Sequence, residues 1–211
     1  MNSIQNKISL LFPTIAIIGF LVLYVISTYF YPGGSYHDRS ASGFSWMYNY
    51  WCNLMEIEAL NGEKNDARLI AITGTAILCI GIGYFYFLFP RYFEMRKLWR
   101  MAIRIVGMTS MIFAVFLFTS YHDTVLNIAG IFGFIAFIGT LIALRRSNFF
   151  FILWLGVFSI LLIGLNNYIY YSHIYIEYLP LIQKITMTIV LTWMIAVNLV
   201  FIRSSRQTNK V

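Results

Sequence analysis

Apolar residues fall into six long runs along this chain, at about 8–31, 67–90, 100–121, 124–144, 149–170 and 181–202. Each is close to the ~20 residues that an α-helix needs to cross a ~30 Å hydrocarbon core. The pattern predicts an all-α polytopic membrane protein: a six-transmembrane-helix bundle that forms a single integral membrane domain over 1–211. Composition agrees. The chain is 60% hydrophobic and 11% charged, where a soluble domain carries roughly 25% charged residues. The six runs leave no room for a separate soluble domain. The first run is too long for the apolar region of a signal peptide, and Tyr29-Phe30-Tyr31-Pro32-Gly33-Gly34 follows it in place of a small-residue cleavage site. It is expected to remain as the first helix.

Charge sorts to opposite ends of the runs. With the N-terminus inside, Lys7, Arg91, Arg96, Lys97, Arg100, Arg104, Arg145, Arg146, Arg203, Arg206 and Lys210 all fall on the cytoplasmic side. Only Arg39, Lys64, Arg68 and Lys184 fall outside, together with every acid except Glu94 and with all three histidines. Basic asymmetry of this kind orients membrane proteins. It predicts both termini in the cytoplasm and a multi-pass location in the plasma (inner) membrane. The formal net charge of +7 is then an orientation signal suited to anionic inner-leaflet lipids, and nucleic acid is not expected as a partner.

The connections are uneven. The turns near His122-Asp123 and at 145–148 are tight, which makes the third, fourth and fifth helices antiparallel neighbours. The external loop 32–66 is long. It opens on the turn Tyr31-Pro32-Gly33-Gly34-Ser35. Phe44, Met47, Trp51, Leu54 and Met55 then recur at helical spacing, which predicts a short amphipathic helix with Ser42 or Ser45 as its cap. Trp46, Tyr48, Tyr50 and Trp51 suit the headgroup layer, so the loop reads as an interfacial lid, with Asn53 in it, or as a substrate-gripping loop. Ala129, Gly133, Ala136, Thr140 and Ala143 form a small-residue stripe for close helix packing. Cys52 in the loop and Cys79 deep in the second run lie roughly 18 Å apart in depth, too far for a disulfide.

Chemistry, if any, belongs to the external face. His37, Asp38, Arg39, Glu56, Glu58, His122, Asp123, His173 and Glu177 collect there. Three histidines and a carboxylate can hold zinc with an open position for water, and such a water ionises near pH 7. His37, His122 and His173 are the candidate ligands, although they come from three loops and no H-E-x-x-H pattern is present. No other cofactor is expected. Asp123 is also placed to cap the fourth helix. Lys184 lies about four residues inside the sixth run; it can snorkel, pair with Glu177, or hold a lipid phosphate. Asn127 stands one turn from Asp123. The candidate polar pocket is therefore His37, Asp38, His122, Asp123, Asn127, His173 and Lys184, under a lid that includes Trp46, Tyr50, Trp51 and Asn53.

The Tyr31-Pro32-Gly33-Gly34 turn, Ser45-Trp46 with Asn49 and Asn53-Leu54, and His122-Asp123 with Asn127, Ala129, Gly130 and Gly133 give the chain a resemblance. It resembles a bacterial six-helix membrane family of unknown function grouped with the eukaryotic FRAG/DRAM/SFK membrane proteins. That family has an acid where this chain has Asn53. The resemblance implies lipid-related work. Three functions compete: a lipid-interacting protein whose external pocket binds a headgroup, a metal-dependent membrane hydrolase using the external His and Asp residues, and a transporter. The absence of an internal repeat and of Pro-broken helices weighs against the last. The sequence does not fix the oligomeric state.

Overall fold

A computed structural model describes residues 3–91, 95–145 and 149–208. Glu94, Arg146 and Lys210, three of the charges that sort to the cytoplasmic side in the sequence, lie outside the described residues, as do the rest of 92–94 and 146–148 in the two basic connections. Six long helices follow one another: α1 (Ser3–Tyr29), α2 (Arg68–Leu88), α3 (Lys97–Ala114), α4 (His122–Arg145), α5 (Phe150–Ser172) and α6 (Leu179–Thr208). All six are long and apolar enough to cross a membrane. The chain is thus an all-helical, multi-pass bundle. Each helix packs on the next, and α6 returns to α1 to close the ring. With six crossings, both termini share one end of the bundle and the loop 32–66 occupies the other.

Side-chain size decides how closely the helices approach. Gly81 of α2 faces Ala16 of α1 so tightly that a Cβ on Gly81 would lie 2.2 Å from that of Ala16. The small-residue stripe of α4 packs against its neighbours: Ala129, Ala136, Thr140 and Ala143 are all buried. Ser110 of α3 donates to the Ala129 carbonyl at 2.7 Å. On the other side of the ring Trp193 of α6 is fully buried. It lies 4.1 Å from the Phe137 ring, and its indole N–H donates to the Ile152 carbonyl at 2.9 Å, which joins α4, α5 and α6. Asn198 of α6 donates to the Leu10 carbonyl and to the Thr14 hydroxyl of α1. Asn166 of α5 donates to Thr186 of α6 at 2.6 Å. Such interhelical bonds replace those that water would supply.

Two segments differ from the sequence pattern. The third apolar run predicts helix through 121, but α3 ends at Ala114 and tightens into a 3₁₀ turn, Val115–Phe118. Thr119 stops it by donating both its backbone N–H and its hydroxyl to the Phe116 carbonyl. In the loop, the helical spacing of apolar residues predicts an amphipathic helix; the structure has turns at 46–48 and a five-residue 3₁₀ helix, Trp51–Met55. Buried asparagines there compete for the backbone hydrogen bonds that a longer helix would use.

Candidate functional site

Loop 32–66 covers one end of the bundle, and three buried asparagines hold it in place. Gly33 pairs with Ser42 in a single antiparallel bridge. Gly34 needs its positive φ of 82°, and a Cβ there would strike the Leu60–Asn61 backbone. Asn49, fully buried, accepts from the Ser45 N–H at 2.8 Å and donates to the Gly34 carbonyl at 2.9 Å. Asn53 accepts from the Tyr50 N–H at 2.7 Å and so caps the 3₁₀ turn. The capping bond uses the acceptor oxygen, which an aspartate also has. Asn65 donates to the carbonyls of Asn53, Leu54 and Glu56 and accepts from the Ala67 N–H at the start of α2. Arg68 adds a bond from its Nε to the Met55 carbonyl.

Apolar contacts seat the loop on the helices. Trp51 packs edge-on against Phe20 and Tyr24 of α1, at 5.8 and 5.4 Å between centroids. The Tyr24 hydroxyl is 2.7 Å from that of Thr75 in α2. Leu54 is fully buried and Met55 nearly so. Trp46, in contrast, is about half exposed and touches Phe44 edge-on. Burial pushes the thiol of Cys52 up to about 12 and the phenol of Tyr50 up to about 12.

Lys184 lies beneath this cover. It is 5% exposed, and its Nζ donates to the backbone carbonyl of Asn49. The Phe44 ring centroid is 5.8 Å away. Among the described residues no carboxylate lies within ion-pair distance of it; Lys64 pairs with Asp66 at 3.9 Å, and His122 Nδ1 lies 3.1 Å from the Asp123 carboxylate. The expected alternatives of snorkelling and of a Glu177 pair give way to this geometry, because the loop carbonyl reaches the amine first and Glu177 faces outward. Among the described residues the ammonium thus has one hydrogen-bond acceptor. The indole N–H of Trp51, in the loop itself, is buried with no partner among the described residues.

The other polar residues singled out in the sequence lie at the same end but not around Lys184. His37 stacks on Tyr48 at 4.6 Å. Asp38 accepts from the hydroxyl and the backbone N–H of Ser40, and the hydroxyl bond foremost holds its carboxyl below the usual range. α4 begins at His122, so Asp123 sits in the first turn and not at the cap; Asp123 and Asn127 face away from the bundle and are exposed. His173 is an exposed, left-handed residue (φ 58°) that ends α5. Among the described residues no three His, Cys, Asp or Glu side chains come together as metal ligands would. Sequence reasoning found Lys184 but missed its partner, the Asn49 carbonyl, and missed Asn65, which ties the loop that carries it. The available signal was the asparagine density of the loop, at 49, 53, 61 and 65.

No family model matches the chain. No curated protein matches it, and no solved structure does.

Proposed function

We propose that this multi-pass membrane protein binds the anionic headgroup of a membrane lipid at Lys184, beneath the loop 32–66, with the loop as its lid. The observation that carries the reading is the buried ammonium of Lys184, whose one acceptor among the described residues is a backbone carbonyl. A charge removed from water is costly unless it is paired, and an ionisable group inside a span is commonly part of a binding site. A phosphate supplies further acceptors. The apolar cover and the aromatic residues around the mouth suit a lipid that brings its own tails. The reading includes an orientation, with both termini cytoplasmic and the lid outside, supported by the Lys and Arg distribution. It also accords with the resemblance to the six-helix family grouped with FRAG/DRAM/SFK proteins.

The test is lipid retention by purified protein, read by native mass spectrometry with added phosphatidylglycerol or phosphatidylcholine. Lys184→Met should lose one bound phosphatidylglycerol, and Lys184→Arg should keep it. Equal retention by wild type and Lys184→Met would sink the headgroup reading.

A further inference from the structure

We infer that the groove between α2 and α3, in the half of the bundle nearer the termini, holds an acyl chain of an anionic phospholipid whose phosphate is gripped by Arg104. This site is separate from the lidded mouth and belongs to the opposite leaflet. Arg104 lies seven residues into α3, roughly 10 Å along the helix. Its Nε is buried and has no hydrogen-bond partner. Its guanidinium lies over the Phe87 ring of α2, 5.2 Å from the centroid. Among the described residues no carboxylate is within ion-pair distance of it. A guanidinium at that depth, facing a ring and with no anion among the described residues, is incompletely compensated.

The groove begins at Phe87, the ring that the Arg104 guanidinium covers. Phe87, Gly83 and Ile80 line it from α2, and Met108 and Ile112 from α3, around a cavity of about 330 Å³. Met108 and Ile112 follow Arg104 at steps of four, so the guanidinium and the α3 wall share a helix face. Gly83 leaves room there: a Cβ would only touch the Met111 side chain, at 3.7 Å. Ile80 and Ile112 are each 60% exposed, so the groove opens sideways toward the surroundings of the bundle. Arg96 and Arg100 precede Arg104 at the same spacing and carry positive charge from the end of the bundle toward the groove. An apolar slot that opens sideways, with a cation at its end nearer the interface, matches one occupant: a lipid with a net negative head. A zwitterionic lipid brings its own cation into the same basic field and is disfavoured.

Native mass spectrometry of the purified full chain tests this, with phosphatidylglycerol and phosphatidylcholine as probes. Wild type should retain phosphatidylglycerol at this site at least tenfold better than phosphatidylcholine. Arg104→Met should abolish that preference, and Arg104→Lys should keep part of it. Ile112→Trp, at an exposed position, should fill the groove and lower retention several-fold with no loss of thermal stability. Lys184→Met should leave this site intact, so failure here and failure at the lidded mouth are read separately. Unchanged retention in Arg104→Met would mean that the guanidinium only reaches toward the interface, and would overturn the assignment. Loss in Arg104→Met with unchanged retention in Ile112→Trp would overturn the seating of the chain in the groove.

Discussion

The amine of Lys184 donates to the backbone carbonyl of Asn49, 135 residues earlier in the chain. This bond joins the sixth helix to the loop that follows the first. It is made to a main-chain atom, so the identity of residue 49 matters through its side chain in a different way: the Asn49 amide and carbonyl fix the Gly34 and Ser45 backbone and thereby aim the carbonyl. A cation held by one neutral acceptor at 5% exposure adds little net stability, because desolvation offsets most of the attraction.

Lys184→Met should therefore leave thermal stability unchanged or raise it slightly while lipid retention falls. A differential scan in detergent checks the first half. Lys184→Glu should destabilise by about 3 kcal/mol or more, since it sets a carboxylate against a carbonyl with no donor to replace the ammonium. A large loss of stability in Lys184→Met would mark the lysine as structural.

Asn65 is the strongest single tie of the loop. One amide nitrogen is within hydrogen-bond distance of three carbonyls, at 3.0, 3.2 and 3.0 Å. Asn65→Leu takes this donor from all three carbonyls, of which that of Asn53 keeps a bond from the Glu56 N–H at 3.4 Å, and should cost about 3 kcal/mol. Asn65→Asp, which keeps the acceptor for Ala67 but loses the donors, should cost nearly as much. Limited proteolysis of residues 56–66 should accelerate in both variants before the helices unfold.

The orientation reading predicts that a cysteine in place of Ser40, an exposed loop position, reacts with a membrane-impermeant maleimide in intact cells. A cysteine in place of Ser205 should react only after the membrane is opened. The reverse pattern would invert the protein.

The helices were readable because their apolar runs are long and the membrane imposes one length on all of them. The α4 stripe was readable too, since small residues at steps of three and four have few uses other than close packing. The mouth was harder. Periodicity over 44–55 counts apolar positions but not the side-chain amides of Asn49 and Asn53, which take backbone partners and hold the segment to turns and a short 3₁₀ helix. Nearness in sequence and helical phase group His122, Asp123 and Asn127. Phase alone does not say which face of α4 turns inward; the stripe at Ala129 and Ala136 does, and it sends Asp123 and Asn127 outward. Lys184 was legible as an oddity, but its partner lies in a loop that no sequence spacing connects to α6.

Cys52 offers a direct report on whether the lid opens. Burial raises its thiol from an ordinary value of 9.0 to about 12, which at pH 8 cuts the thiolate population by roughly a thousandfold. In a Cys79→Ala background, alkylation of Cys52 at pH 8 should be at least ~100-fold slower than that of a cysteine placed at Ser40. The sign for stability follows from linkage. The folded state holds the thiol proton more tightly than the unfolded chain does. This contribution is fully present below pH 9.0 and is lost as pH rises from there toward about 12. Thermal stability should therefore fall above pH 9, and Cys52→Ala should flatten part of that fall. A lipid bound at Lys184 should slow alkylation further by holding the lid closed. Fast alkylation of Cys52 in the lipid-bound protein would show that the lid stands open when the site is filled.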